Sequence, residues 1–185
     1  GASVSTHLRE GRHGLGPIAF WGNHEIPIKV AGTVKGFTVD SIHWRDWQWP
    51  TQFEIPRETL RGLAPHGVYA FCAVSQALAD AGLSTDQIAG AAGTGLYCAS
   101  AASAMMLHQN LALMHAAQGL RGNPLGVVSS IAGTLNFNLA AHFRIRGAAC
   151  GFASACASSS HALGYACDAL RLGRLERAIV VGAED

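Results

Sequence analysis

One cysteine in this sequence stands where a nucleophile would. Residues 151–163 read GFASACASSSHAL and place Cys156 at the seam between a short apolar strand and a helix of small residues. A helix N-terminus carries backbone N–H groups without intrahelical partners and the positive end of the helix dipole, so it favours an anion. A thiolate there gains reactivity. The same N–H groups stabilise an oxyanion formed when sulfur adds to a carbonyl. A sharp strand-to-helix turn lifts its side chain above a sheet, which is the logic of a nucleophile elbow, here with sulfur in place of oxygen. The competing reading is that Cys156 is one more small buried residue, as free cysteines often are. The other four cysteines read as structural: Cys72 and Cys167 fall within helices, Cys98 follows a glycine turn and Cys150 lies in a strand.

A thiol nucleophile works with a base or a polarising partner. His161 follows Cys156 by five residues, which is about 140° around a helix and turns it away from the same cavity. His142 falls near the end of the preceding helix, where a cation or a hydrogen bond to the last carbonyls is favourable. No histidine stands in a motif that marks a base. The cysteines form no CxxC pair, so the sequence predicts neither a zinc site nor a disulfide framework, but reduced thiols in a cytoplasmic setting. The Gly-Thr-Gly of residues 93–95 lacks the rest of a nucleotide-binding fingerprint. A net charge of +1 without a basic run argues against nucleic acid. No run reaches the roughly 18 apolar residues of a membrane span, and no signal-peptide pattern opens the sequence. Metal ions and cofactors have no motif here.

The elements that would position Cys156 follow from periodicity. Residues 3–10 read as a short helix ended by Gly11, residues 12–28 as a loop, and residues 29–37 as a strand or hairpin edge. Residues 40–56 carry Trp44, Trp47, Trp49 and Phe53. They read as a flap folding its aromatics onto the body, with a partner-docking patch as the alternative. Helical spacing of Val68, Phe71, Cys72, Leu78 and Ala79 predicts a helix from Pro65 to Ala81, ended by Gly82. Residues 88–95 read as a small-residue strand entering a glycine turn, and residues 97–118 as a second helix with Met105 and Met106 as packing residues. Residues 129–147 read as a helix opened by serine caps. Residues 148–154 then form a short buried strand, Cys156 to Leu172 a helix closed by Gly173, and residues 177–185 an apolar strand covered on both faces. Strand, helix and strand make a βαβ unit, and the whole predicts an α/β domain. The chain is 49% apolar but only 14% charged, against about 25% charged in an average domain. That deficit implies a surface largely covered by something else.

With these elements in order, SACASSSHALGYACDALRLGRLERAIVVGAED (154–185) resembles the active-site segment of the β-ketoacyl-acyl carrier protein synthases, the condensing enzymes of the thiolase superfamily. LREGRHGLGPI (8–18), VAGTVKGF (30–37), ALADAGL (77–83), GAAGTGL (90–96) and HFRIRGAACGFASAC (142–156) fall in the order that the family shows. The resemblance implies a thiolase-like fold, layered α-β-α-β-α in the complete enzyme. Residues 1–185 would form about its N-terminal half, with the first strand and the C-terminal half outside the chain.

It also implies roles. Cys156 would be the nucleophile of a decarboxylative Claisen condensation, in fatty acid or polyketide synthesis, between a Cys-bound acyl group and a malonyl carrier protein. The histidines that stabilise the enolate would lie outside this chain. No cofactor is implied, because acyl groups arrive on the phosphopantetheine of acyl carrier protein. Leu96, Gly126 and Ala155 would fall at or near the acyl pocket. Many family members have Thr where Ala155 stands, and some have a bulky aromatic where Gly126 stands. Arg57, Arg61 and Arg121 would lie on the carrier-protein docking surface, with plain solvated arginines as the alternative. Family members pair through the strand before the nucleophile, so a homodimer or a heterodimer with a homologous subunit is expected. Two alternatives remain at this level: a thiolase-type coenzyme A acyltransferase, and a non-catalytic partner subunit of a synthase heterodimer. The presence of Cys156 argues against the second.

Overall fold

The computed structural model describes residues 2–18 and 27–185. The chain divides into two compact units, residues 1–37 and residues 38–185. In the first, helix α1 (Ala2–Arg9) stops where Gly11 takes a φ of +63°. Strands β1 (Leu15–Pro17) and β2 (Val30–Gly32) pair antiparallel, with Gly16 opposite Ala31. The segment expected to be loop therefore contains one strand of a hairpin, and the edge expected at 29–37 is its partner. Part of that loop, residues 19–26 with Gly22, lies outside the described residues.

The second unit opens with the tryptophan-rich flap. It closes on itself through paired backbone bonds between Thr38 and Gln48 at 2.8 and 2.9 Å. Trp47 and Ile55 are buried, while Trp44, Trp49 and Phe53 are half-buried. A buried indole N–H needs an acceptor: Trp47 Nε1–H donates to the Ser41 carbonyl at 2.6 Å and Trp49 Nε1–H to that of Phe53 at 2.8 Å. Two helices follow, α2 (Arg57–Leu60) and α3 (Pro65–Asp80). Pro65 sits in the first turn of α3, where its missing N–H costs nothing. Helix α4 (Thr85–Ile88) is opened by a capping box between Ser84 and Gln87.

Strand β3 (Thr94–Ala99) comes next, buried along its full length. Two expectations fail here. The strand lies after the turn at Gly90–Gly93 rather than before it. Residues 97–99 belong to this strand, and the helix, α5 (Ala104–Ala116), starts later, capped by the Ser103 side chain. Ala, Leu and Met favour helix on propensity alone, and tertiary burial overrides it. The helix expected over 129–147 is two pieces, α6 (Gly126–Ser130) and α7 (Thr134–His142). Gly133, with a φ of +91°, breaks them. Ser129 and Ser130 end α6 instead of capping α7.

Strand β4 (Ala149–Phe152), helix α8 (Ser158–Arg171) and strand β5 (Arg177–Gly182) complete the chain. The parallel sheet has the order β4-β3-β5, so α8 carries the chain across β3 rather than between neighbours. Tyr97 and Ala99 point to one face and meet Ala162, Ala166 and Ala169 of α8 with Leu175. Alternation along a strand turns Leu96 and Cys98 to the other face, where α7 packs on β3 and α3 on β5. Phe71 of α3 and Phe143 of α7 join there with ring centroids 5.5 Å apart. The result is helix, sheet, helix.

Two burial expectations are also corrected. β4 is exposed at Ala149, Cys150 and Gly151, because it is an edge strand. β5, at the other edge, is half-buried over Arg177–Val180. On α8, Ala162, Ala166 and Ala169 are buried against the sheet, while Leu163, Tyr165 and Leu170 are exposed.

Candidate active site

The three parallel strands end together. The Ser100 N–H donates to the Phe152 carbonyl at 3.1 Å, and the Ala183 N–H to that of Ala99 at 3.0 Å. Beyond this C-terminal edge the chain leaves β4, turns at Ala155 and enters α8. In open α/β sheets this edge is where ligands bind. Cys156 is exposed in that turn, two residues before the helix begins, so the helix starts later than the sequence indicates.

The turn is tight for a reason that residue types explain. Ala155 adopts a φ of +46°, a left-handed conformation that L-residues other than Gly, Asn and Asp seldom take. The Ala157 N–H donates to the Ser154 carbonyl at 3.0 Å, and the Ser158 N–H to that of Ala155 at 3.1 Å. The buried Ser158 hydroxyl accepts the Ser154 N–H and donates to the Ala155 carbonyl, both at 2.7 Å. Small residues let the flanking elements close in. A Cβ on Gly151 would stand 3.3 Å from Gly133 Cα, and one on Gly182 would overlap the Ser159 hydroxyl. The small residues around Cys156 thus serve close backbone approach at the seam.

Two histidines of the described residues, His142 and His66, are engaged within the fold, and a third follows Cys156 on the same helix. His161 is exposed on α8. His142 packs edge-on against Phe71, with centroids 4.7 Å apart, and its Nδ1 lies 3.3 Å from Thr59 Oγ1. Burial lowers its pKa, partly offset by Glu58. His66 is buried, with Nδ1 3.4 Å from Asp185 Oδ2, and the Ser103 hydroxyl donates to the same oxygen at 2.6 Å. Burial pushes the Asp185 carboxyl up, but the bonds from His66 and Ser103 prevail and hold it below its ordinary value. This cluster joins the starts of α3 and α5 to the end of β5. Two of the other cysteines are buried, and burial raises the Cys98 thiol to about 12 and that of Cys72 to about 11, whereas Cys150 is exposed like Cys156.

The remaining predicted site residues fall in three places. Leu96 is fully buried in β3. Gly126 starts α6 against the buried Asn110, whose Cγ would lie 2.7 Å from a Cβ at 126. Asn110 Oδ1 accepts the Asn123 N–H at 2.8 Å, so a bulky side chain at 126 would displace a bonded buried amide. Arg57 and Arg61, four residues apart on α2 and its C-cap, line a cleft of about 630 Å³ together with Glu58, His43, Trp44, Arg45 and Asn123. Arg121 is exposed and precedes Gly122 at the same cleft. Sequence reasoning missed Arg45, which lies over the Trp44 ring at 5.1 Å. It also missed Ser158, one of three consecutive serines with nothing in the run to single it out.

A parallel sheet covered on both faces, with an exposed cysteine at a strand-to-helix elbow beyond its C-terminal edge, is the arrangement of the thiolase-like condensing-enzyme fold. The chain belongs to the β-ketoacyl synthase family: residues 2–185 match "Beta-ketoacyl synthase, N-terminal domain". It is 28% identical over 186 residues to 3-oxoacyl-[acyl-carrier-protein] synthase 1 of Haemophilus influenzae, covering 98% of this chain and 42% of that protein. The enzyme of the same name from Escherichia coli K12 is 29% identical over 184 residues, with the same shares covered. The chain thus spans about two-fifths of the length of these relatives. Among solved structures, the ishigamide ketosynthase/chain length factor matches with a TM-score of 0.76 at 23% identity, over 100% of this chain and 43% of that one.

Proposed function

We propose that the protein containing this chain is a β-ketoacyl-acyl carrier protein synthase with Cys156 as its nucleophile. The observation that carries the reading is the placement of an exposed Cys156 at the strand-to-helix elbow beyond the sheet's C-terminal edge, inside the region that matches the family. In the first half-reaction the sulfur attacks the thioester carbonyl of an acyl carrier protein. A new carbon–sulfur bond forms, the bond to phosphopantetheine breaks, and the carrier leaves as its thiol with the proton from Cys156. In the second, malonyl carrier protein loses carbon dioxide and its carbanion attacks the Cys156 thioester. The carbon–sulfur bond to Cys156 breaks, the thiol regains a proton, and a 3-oxoacyl carrier protein two carbons longer departs.

The setting is cytoplasmic in this reading, and no helix among the described residues is long and apolar enough to cross a membrane. The acyl carrier protein docks on the cleft of Arg45, Arg57 and Arg61, near Arg121. The protein dimerises through β4, an exposed apolar edge strand with no charge to block pairing. Fatty acid and polyketide synthesis both fit this chemistry.

The test incubates the full-length protein with acyl carrier protein thioester and malonyl carrier protein. Release of carbon dioxide with a 3-oxoacyl carrier protein, and loss of both in Cys156→Ala, is the expected result. Condensation of two acyl-coenzyme A molecules without decarboxylation would instead support the thiolase-type reading. No turnover with either carrier would support a non-catalytic subunit.

A further inference from the structure

Resting on the reading of Cys156 as nucleophile, we infer that Ser158 is a positioning residue that holds the elbow in its reactive shape. Its hydroxyl bonds to the two peptide groups that bracket Ser154 and Ala155: it accepts from the Ser154 N–H and donates to the Ala155 carbonyl, each at 2.7 Å. Ser158 is 5% exposed, so water competes poorly for either bond.

The bonds have a strained conformation to support. Ala155 sits at a φ of +46° with no glycine's freedom, so the turn persists only where its surroundings over-determine it. Among the described residues the backbone adds its own bonds, from the Ala157 N–H to the Ser154 carbonyl and from the Ser158 N–H to that of Ala155. Without the hydroxyl, the Ser154 N–H loses its partner and Ala155 is free to relax toward negative φ. That rotation swings the next residue, Cys156, away from the start of α8. The neighbouring hydroxyls differ: Ser159 and Ser160 are exposed, and neither bonds to the turn among the described residues.

The test measures acyl transfer to the full-length protein in wild type, Ser158→Ala and Ser158→Thr, with thermal unfolding and iodoacetamide labelling of Cys156 relative to the half-buried Cys167 of α8. A small displacement of a reacting group costs on the order of 10- to 100-fold in rate. Ser158→Ala is expected to lower kcat by that range with KM little changed, and to slow labelling of Cys156 while leaving that of Cys167 unchanged. Ser158→Thr, which keeps the hydroxyl, is expected to restore both. Wild-type kcat in Ser158→Ala, or a Thr variant as slow as the Ala variant while both unfold at the wild-type temperature, would overturn the inference. Faster labelling at Cys167 in Ser158→Ala would also overturn it, since that marks general loosening. Cys156→Ala separates the two claims. Acylation persisting without Cys156 would remove the nucleophile itself, whereas a dead Cys156→Ala beside an undisturbed Ser158→Ala would remove only the role of Ser158.

Discussion

Cys98 and Cys156 belong to the same parallel sheet and meet opposite surroundings. Cys98 is in the central strand, 2% exposed, and burial pushes its thiol up to about 12. Cys156 lies beyond the C-terminal end of the edge strand, exposed in a turn that a buried serine braces. In the proposed reading, reactivity is a property of address. The middle of a covered sheet keeps a thiol protonated and inert. The mouth of the sheet presents it to whatever enters.

The address can be broken from the core side. Leu96 is fully buried next to Cys98 on β3. Leu96→Ala removes packing where both faces of the strand are covered, and is expected to destabilise the protein by about 2–5 kcal/mol. Denaturant unfolding checks this, and a change below about 1 kcal/mol would mean that β3 is not the centre of the fold.

The protonated state of the core thiols gives a pH test. An unfolded thiol titrates near about 8.5, whereas Cys98 and Cys72 in the fold titrate near 12 and 11. Between these values the unfolded chain has lost protons that the folded chain keeps. Stability from this source is complete below pH of about 8.5 and drains away as pH rises toward the folded values. The urea midpoint is expected to fall between pH 8 and pH 10.5, and Cys98→Ala should flatten that fall. An equal slope in the variant would show that Cys98 is not kept protonated by its surroundings. The smallest effect belongs to the edge: Cys150→Ala, on the exposed strand, should stay within about 0.5 kcal/mol of wild type.

The same contrast marks what the sequence discloses. The elbow was legible because it is local: an apolar strand, a cysteine and a helix of small residues stand side by side in GFASACASSSHAL. The long helix at 65–80 was legible through its period. β3 was not, because Thr-Gly-Leu-Tyr-Cys-Ala mixes the strand formers Thr and Tyr with Gly and Ala, which strands disfavour, and cover from α7, α8 and its two neighbouring strands decides the outcome. The exposure of β4 was hidden for the converse reason. Apolar residues announce that a surface is to be covered, but the sequence of a strand does not show whether a neighbour lies beside it. The site divides in the same way. Cys156 is set by its own short stretch, whereas the cleft of Arg45, Arg57 and Arg61 is assembled from the flap and α2, segments that no single periodicity joins.

The account's central claim is that one thiol of five carries the chemistry. The direct measurement is peptide mapping by mass spectrometry of the full-length protein after brief incubation with an acyl carrier protein thioester. The account predicts acyl label on Cys156 alone, none in Cys156→Ala, and unchanged labelling in Cys150→Ala. Label on Cys150 or Cys98, or acylation that survives the loss of Cys156, would contradict it.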